Sequence, residues 1–289
     1  MRNFFASLVV LGTALSAATS AVAAGLGQPV EWQMNLQQSA SPVMTFITDF
    51  HNGLLVLITI VSLFVLGLLI WVCVKYNAKA NPEPSRTTHN TLVEVVWTVV
   101  PILILIGIAI PSFRLLYFQR DFPPAEITVK AIGNQWFWSY EYPEHDVSFD
   151  QYMKTREELK DGEPYLLATD TEVVVPVNKV VRVIVTANDV LHAWTIPSFG
   201  SKIDAVPGRL NETWFKAEKE GVFFGQCSEL CGKDHAFMPI TVRVVSEDEY
   251  KAWLEKAKTA GVEQAQEHLA TILKTKGKLA LGTAGGSAN

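Results

Sequence analysis

Two thiols, an imidazole and a thioether fall within twelve residues of this 289-residue chain: Cys227, Cys231, His235 and Met238, spaced C-x3-C-x3-H-x2-M. A second imidazole, His192, stands 35 positions before Cys227, at the end of an apolar stretch of β character. Soft sulfur and borderline nitrogen donors select copper or zinc over hard cations. One Cys, two His and a weak Met would make a mononuclear blue-copper site. The second thiol changes that reading, because two thiolates can bridge two metals. A dinuclear thiolate-bridged copper centre spreads one electron over both ions, so little rearranges when it charges or discharges. The chemistry implied is electron transfer, not hydrolysis.

Two other readings use some of the same residues. Thiols four apart in an exported domain can close a disulfide. A structural zinc site of two Cys and two His is the second, but zinc leaves Met238 without a role and its four-ligand shell would be closed. The copper reading uses all five side chains, and donor softness favours it.

Such a site needs rigid elements around it. Beyond residue 121 the hydrophobic pattern alternates with a period of two: residues 127–132, 180–185 and 240–245 read as strands bounded by Pro, Gly, Asn and Asp. Several short strands in succession argue a β-sandwich or barrel. The ligands fall on the loop before the last strand and at the end of an earlier one, so one end of the sandwich holds them. Residues 250–260 read as a helix, and the stretch from Lys274 has the Gly/Ala/Lys composition of a loose or partner-bound tail.

Ahead of the β region the chain is built for a bilayer. Residues 53–74 are 22 consecutive positions without a charge, enough to cross the hydrocarbon core. Residues 92–116 form a second apolar run, interrupted by Glu94, Pro101, Pro111 and Arg114. The loop between carries Lys75, Lys79 and Arg86 against Glu83, which makes it cytoplasmic, and Trp71, Tyr76, Trp97 and Tyr117 sit near the expected interfaces. Cys73, inside the first run, reads as a small apolar side chain. At the N-terminus, Arg2, an apolar stretch over residues 4–15 and Ala21-Val22-Ala23 predict a cleaved export signal. The net charge of −5 hides an asymmetry: residues 121–250 hold 22 acidic against 12 basic side chains, a net of −10. An acidic outward domain repels nucleic acid and favours a basic protein partner.

Three segments carry a resemblance: Gly133-Asn134-Gln135-Trp136-Phe137-Trp138-Ser139-Tyr140-Glu141-Tyr142, Asp204-Ala205-Val206-Pro207-Gly208-Arg209-Leu210-Asn211, and the metal loop. With them, the chain from the first span to about Val245 resembles subunit II of bacterial cytochrome c oxidases of the haem–copper family. Phe137 and Asn134 depart from that family's commoner Tyr and His, and neither is a ligand position. The resemblance implies a membrane-anchored all-β protein, two transmembrane helices in a hairpin followed by a cupredoxin-like β-sandwich or barrel. It implies a function as well: accepting electrons from reduced cytochrome c at a dinuclear copper centre and passing them to a haem of subunit I. There oxygen is reduced to water and protons are pumped.

By the same resemblance the two coppers would be held by His192, Cys227, Cys231, His235, Met238 and the backbone carbonyl of Glu229. The Glu229 carboxylate would serve a magnesium ion shared with subunit I, as a hard oxygen ligand can. Trp136 matches the indole through which electrons arrive, although pattern alone would equally place it in the core with Trp138, Tyr140 and Tyr142. Glu94 matches a glutamate at the mouth of a proton-uptake path into subunit I; on its residues alone it could be an interfacial Glu favoured by the helix dipole. Glu141, Asp150, Asp170 and Asp189 are the expected cytochrome c docking carboxylates. The partners implied are the haem-bearing subunit I, a subunit III, cytochrome c and the lipid bilayer, with no nucleic acid.

The expected organisation is a signal peptide (1–23), an N-terminal segment with two membrane helices at about 53–75 and 92–116 (24–120), a periplasmic copper domain (121–246), and a C-terminal helix and flexible tail (247–289). The protein would lie in a bacterial inner membrane with both mature termini and the copper domain in the periplasm. Three alternatives are weighed against this. A quinol oxidase subunit lacks the copper ligands, and nitrous oxide reductase needs a propeller domain of several hundred residues that has no counterpart in this sequence. A copper-delivery or assembly protein would not need the aromatic run, Glu94 or the Glu229 carboxylate.

Overall fold

The structure, a computed structural model, describes residues 26–277, so the expected signal segment and the end of the tail lie outside the described residues. It divides into a helical unit, Phe46–Asp121, and a β unit formed by the rest of the described residues.

The helical unit contains α1 (Pro42–Lys75) for most of its length, and α2 (Thr91–Arg120). At 1.5 Å per residue their 34 and 30 residues span about 50 and 45 Å, more than the ~30 Å hydrocarbon core. α1 starts well before the expected residue 53, because Ser41 caps it: the Ser41 hydroxyl accepts from the Met44 N–H at 3.0 Å. The polar positions Asp49, His51 and Asn52 hid that first part from a reading based on apolar length. α2 begins at an Asn90 cap whose side chain accepts from the Val93 N–H at 3.2 Å. Glu94 reaches back to accept from the Asn90 N–H, also at 3.2 Å, so its carboxylate closes the helix N-terminus. Pro101 and Pro111 lie inside α2 without ending it.

The β unit is a sandwich of ten strands: β1 (Ile127–Asn134), β2 (Phe137–Tyr142), β3 (Val147–Gln151), β4 (Val173–Pro176), β5 (Val180–Ala187), β6 (His192–Ile196), β7 (Ser201–Ala205), β8 (Asn211–Lys216), β9 (Gly221–Gln226) and β10 (Pro239–Val245). One sheet has the order β3-β2-β1-β5-β8, a second β4-β10-β9, and β6-β7 form a short third. β1 runs parallel to β5 and β4 parallel to β10, while the other pairs are antiparallel. The expected strands are therefore present. Alternation in β5 buries Val181, Val183, Val185 and Ala187 and turns Arg182 outward. β4 is buried along its whole length, as a strand covered on both faces must be.

The second cover is helical. The sequence suggests one helix over 250–260; the structure shows two, α3 (Glu247–Ala260) and α4 (Val262–Thr275). α3 starts earlier than expected at a capping box of Ser246 and Glu249. Gly261, at φ +90°, separates the helices, and α4 fills the stretch between the expected helix and the tail read from Lys274, overlapping that tail only at Lys274 and Thr275. Their buried faces put Trp253 against Tyr142, ring centroids 5.4 Å apart. Gln266 donates to the Glu172 carbonyl at 2.7 Å beside β4.

Candidate metal centre

Three backbone pieces converge at one end of the sandwich. The first is the loop between β9 and β10, which carries Cys227, Cys231, His235 and Met238. The second is the start of β6, which carries His192, placed there by pairing with β7 at His192↔Ala205. The third is the two-residue turn Gln135–Trp136 between β1 and β2, closed by the pair Asn134↔Phe137.

The five side chains assembled from sequence meet. The Cys227 and Cys231 sulfurs are 3.9 Å apart, far beyond the ~2.05 Å of a disulfide, and both thiols are free. His192 Nδ1 is 3.8 Å from the Cys227 sulfur. On the other flank, His235 Nδ1 and Met238 Sδ each lie 3.5 Å from the Cys231 sulfur. The Glu229 carbonyl faces inward, 3.3 Å from the Cys227 sulfur, while the Glu229 residue is exposed. His192, Cys227, Cys231 and Met238 are buried, and His235 is half-buried. The result is two sulfurs in the middle and an imidazole nitrogen on each side.

The electrostatics of this pocket call for a cation. Burial pushes the Cys227 thiol up, but the His192 imidazole and the backbone at Glu229 and Ala193 outweigh it and bring it down to about 7. The second proton is then hard to remove: burial, followed by the charge on Cys227, pushes Cys231 up to about 12. Two thiolates side by side in a buried pocket need positive charge between them. His192 itself is pulled down by burial and raised overall by Cys227 and Asp189. The residues therefore fit a soft, multiply charged metal centre, and the thioether beside the thiols fits copper.

Several residues around the pocket carry no metal-binding signal in the sequence. Gly133 on β1 lies directly under His192: a β-carbon there would sit 2.7 Å from the ring's Cδ2, so only glycine leaves room for the imidazole. Gly232, at φ +127°, lies so close to Trp136 that a β-carbon would be 2.9 Å from the indole. That approach lets the Trp136 Nε1–H donate to the Cys231 carbonyl at 3.2 Å, alongside the Gln135 side-chain amide at 2.8 Å. Trp138, by contrast, is fully buried and donates to the Met238 carbonyl at 3.3 Å. Trp138, Tyr140 and Tyr142 point into the core; Trp136, in the turn, is half-buried and leaves that alternation.

Asp189 stands apart from the other three acidic positions. Burial raises its carboxyl, but His192 and the Val190 and Gln135 N–H groups outweigh it and hold it below the usual carboxylate range. Glu141 pairs with Lys130 at 3.0 Å. Asp150 accepts from Ser139 at 2.6 Å, and Asp170 from the Tyr152 and Thr171 N–H groups at 2.8 and 2.7 Å. Burial, Asp150 and Asp170 together raise the Tyr152 phenol, and the Tyr152 ring stacks on Phe137 at 4.7 Å. Asp150 and Asp170 thus lie beside the strand that leaves the Trp136 turn. Glu94 belongs to the helical unit, as a capping carboxylate.

The profile described as "Cytochrome C oxidase subunit II, periplasmic domain" matches residues 127–245, and that described as "Cytochrome C oxidase subunit II, transmembrane domain" matches residues 29–115. A protein named "Probable cytochrome c oxidase subunit 2" from Rickettsia bellii (strain RML369-C) is 50% identical over 228 residues, 78% of this chain and 85% of that protein. "Cytochrome c oxidase subunit 2" from Cereibacter sphaeroides is 47% identical over 251 residues, 81% of this chain and 83% of that protein. The solved periplasmic domain of subunit II of cytochrome oxidase from Bradyrhizobium japonicum is 59% identical, covering 47% of this chain and 96% of that one, with a TM-score of 0.45. Two profiles end to end and near-full-length relatives at about half identity place this chain in the cytochrome c oxidase subunit II family, whose members are membrane-anchored, copper-bearing parts of an oxidase complex.

Proposed function

We propose that this domain faces the periplasm, takes single electrons from a reduced c-type cytochrome at a centre of two coppers, and passes them to the haem of subunit I. What carries the reading is the pair of free sulfurs 3.9 Å apart with an imidazole Nδ1 beside each. His192, Cys227, Cys231, His235, Met238 and the Glu229 carbonyl would hold the metals, and the bound pair supplies a one-electron store of low reorganisation. The β9–β10 loop holds the thiols, which are buried against the core of the sandwich. The exposed Glu229 carboxylate is left free to serve a magnesium ion at the boundary with subunit I. Family membership takes the reading away from a copper-delivery protein.

Trp136 receives the electron in this scheme. Its indole hydrogen-bonds the carbonyl of a thiolate ligand, so a bonded path runs from the half-exposed ring to Cys231. Docking is electrostatic, on the acidic face beside the turn where Asp150, Asp170 and Glu141 lie; Glu141 contributes least because Lys130 already pairs with it. Raising ionic strength from 0.01 to 0.15 M shortens the screening length from about 30 to about 8 Å. The expected result is an association rate with a lysine-rich cytochrome that falls about tenfold or more, measured by stopped flow on the assembled oxidase. The combined Asp150→Asn and Asp170→Asn variant should flatten that salt dependence. A rate indifferent to salt contradicts electrostatic docking.

Glu94 is proposed to open a proton-uptake path into subunit I, on the cytoplasmic side. Its bond to the Asn90 N–H offers a purely structural role, and two substitutions separate the roles. Glu94→Gln keeps a side-chain oxygen able to accept from the Asn90 N–H but cannot carry a proton. The expected result is turnover slowed severalfold in both Glu94→Gln and Glu94→Ala, with cytochrome-to-copper electron transfer intact. Normal oxygen consumption in Glu94→Gln would leave Glu94 as a capping residue only.

A further inference from the structure

Asp189 is positioned unlike a surface docking charge. One oxygen, Oδ1, lies 2.9 Å from His192 Nε2 and accepts from the Val190 N–H at 2.6 Å. The other, Oδ2, accepts from the Gln135 N–H at 2.7 Å, across 54 positions of sequence. The carboxylate is 32% exposed, and the His192 ring it meets is 0% exposed. The same loop is tied to the β1–β2 turn twice more: the Asn188 N–H donates to the Gly133 carbonyl at 3.1 Å, and the Asn188 side-chain amide to Asn134 Oδ1 at 2.8 Å. Beyond Gln135, the turn reaches Cys231 through two donors on one carbonyl.

These bonds form a closed ring, from His192 to Asp189, to the Gln135–Trp136 turn, to the Cys231 carbonyl, and back to His192 through the two sulfurs. Since Nδ1 faces Cys227, the metal-binding nitrogen of His192 is Nδ1, and Nε2–H is left to donate to Asp189. A carboxylate on the outer nitrogen of a metal-ligating imidazole fixes the ring's tautomer and orientation and raises its basicity. We infer that Asp189 is a positioning residue that locks the ligand His192 and the electron-receiving Trp136 turn into one geometry, so that the docking surface and the copper pocket are coupled through a single side chain.

This inference rests on the copper reading above, and the test keeps their failures apart. Full-length chain is purified in detergent, loaded with copper, and compared as wild type, Asp189→Ala and Asp189→Asn. The readouts are apparent copper affinity, the copper EPR hyperfine pattern, reduction potential, and the salt dependence of cytochrome c association by the assembled oxidase. A wild type without a dinuclear copper signal defeats the copper reading itself. Given a normal wild type, Asp189→Ala is expected to lose about 10–100-fold in copper affinity and to show a changed hyperfine pattern and potential. Asp189→Asn, nearly isosteric, can serve Gln135 with its one oxygen but cannot also accept from His192. Its hyperfine pattern and potential are therefore expected to change even where it folds and loads like the wild type, which is the safeguard should the alanine variant fold poorly. If both variants keep wild-type affinity, spectrum and potential and lose only the salt dependence of association, Asp189 is a docking charge and the inference is overturned.

Discussion

Replacing Cys231 with serine is expected to destroy the dinuclear centre outright. The Cys231 sulfur is the hub of the pocket, with the Cys227 sulfur at 3.9 Å and His235 Nδ1 and Met238 Sδ at 3.5 Å each. A hydroxyl in its place is a hard, protonated donor that cannot bridge two soft metals. Copper per chain should fall from two to one or none, the charge-transfer colour of the thiolate pair should vanish, and oxidation of cytochrome c should stop. Cys227→Ser should behave alike, because that sulfur lies between Cys231, His192 and the Glu229 carbonyl. Met238→Leu is the control: a thioether is a weak ligand that tunes potential, so two coppers should remain with a shifted potential. Metal analysis with absorption spectroscopy on the full-length chain checks all three. Two coppers and an unaltered spectrum in Cys231→Ser would show that the sulfurs are not the bridge.

The second large effect is expected at Trp136. Trp136→Ala removes both the half-exposed ring and its bond to the Cys231 carbonyl, leaving a gap between a docked cytochrome and the pocket. Electron tunnelling weakens steeply across a gap without bonded or packed atoms. Stopped-flow oxidation of cytochrome c should slow by orders of magnitude at unchanged affinity, with copper content and spectrum kept. Trp138→Ala should differ in kind. That ring is 0% exposed, and removing it leaves a large core cavity of the sort that costs about 3–5 kcal/mol; its loss should appear as instability. A near-normal transfer rate in Trp136→Ala would return the residue to a packing role.

The metal loop was legible from sequence because its donors are few in kind and close in spacing. His192 was legible from the apolar β run before it, although the structure ends that strand at Ala187 and puts His192 at the start of the next, β6, which is buried at four of its five positions rather than alternating. The strands β1, β5 and β10 declared themselves by period. Other features depended on partners far along the chain. Trp136 shares the two-residue period of Trp138, Tyr140 and Tyr142, and only the turn at 135–136 takes it out of their face. Asp189 looks in sequence like one more acidic surface position; its Gln135 partner is 54 residues away, although its place three before the ligand His192 could have raised the question. Gly133 could be read as conformational freedom, whereas its reason is the imidazole above it. α4 is harder to read from sequence because Gly261 stands before it and its apolar face is a single narrow row, Val262, Ala265, Leu269 and Leu273. The first turns of α1 do not show in apolar length because Asp49, His51 and Asn52 belong to a helix that extends beyond the apolar span.

The most direct test of the central claim is the EPR spectrum of the full-length chain, purified in detergent and loaded with copper, taken with a metal count. The expected result is two coppers per chain and one unpaired electron coupled equally to both nuclei, with no zinc and no disulfide. A spectrum of one isolated copper, or a silent protein holding a single zinc, would contradict it.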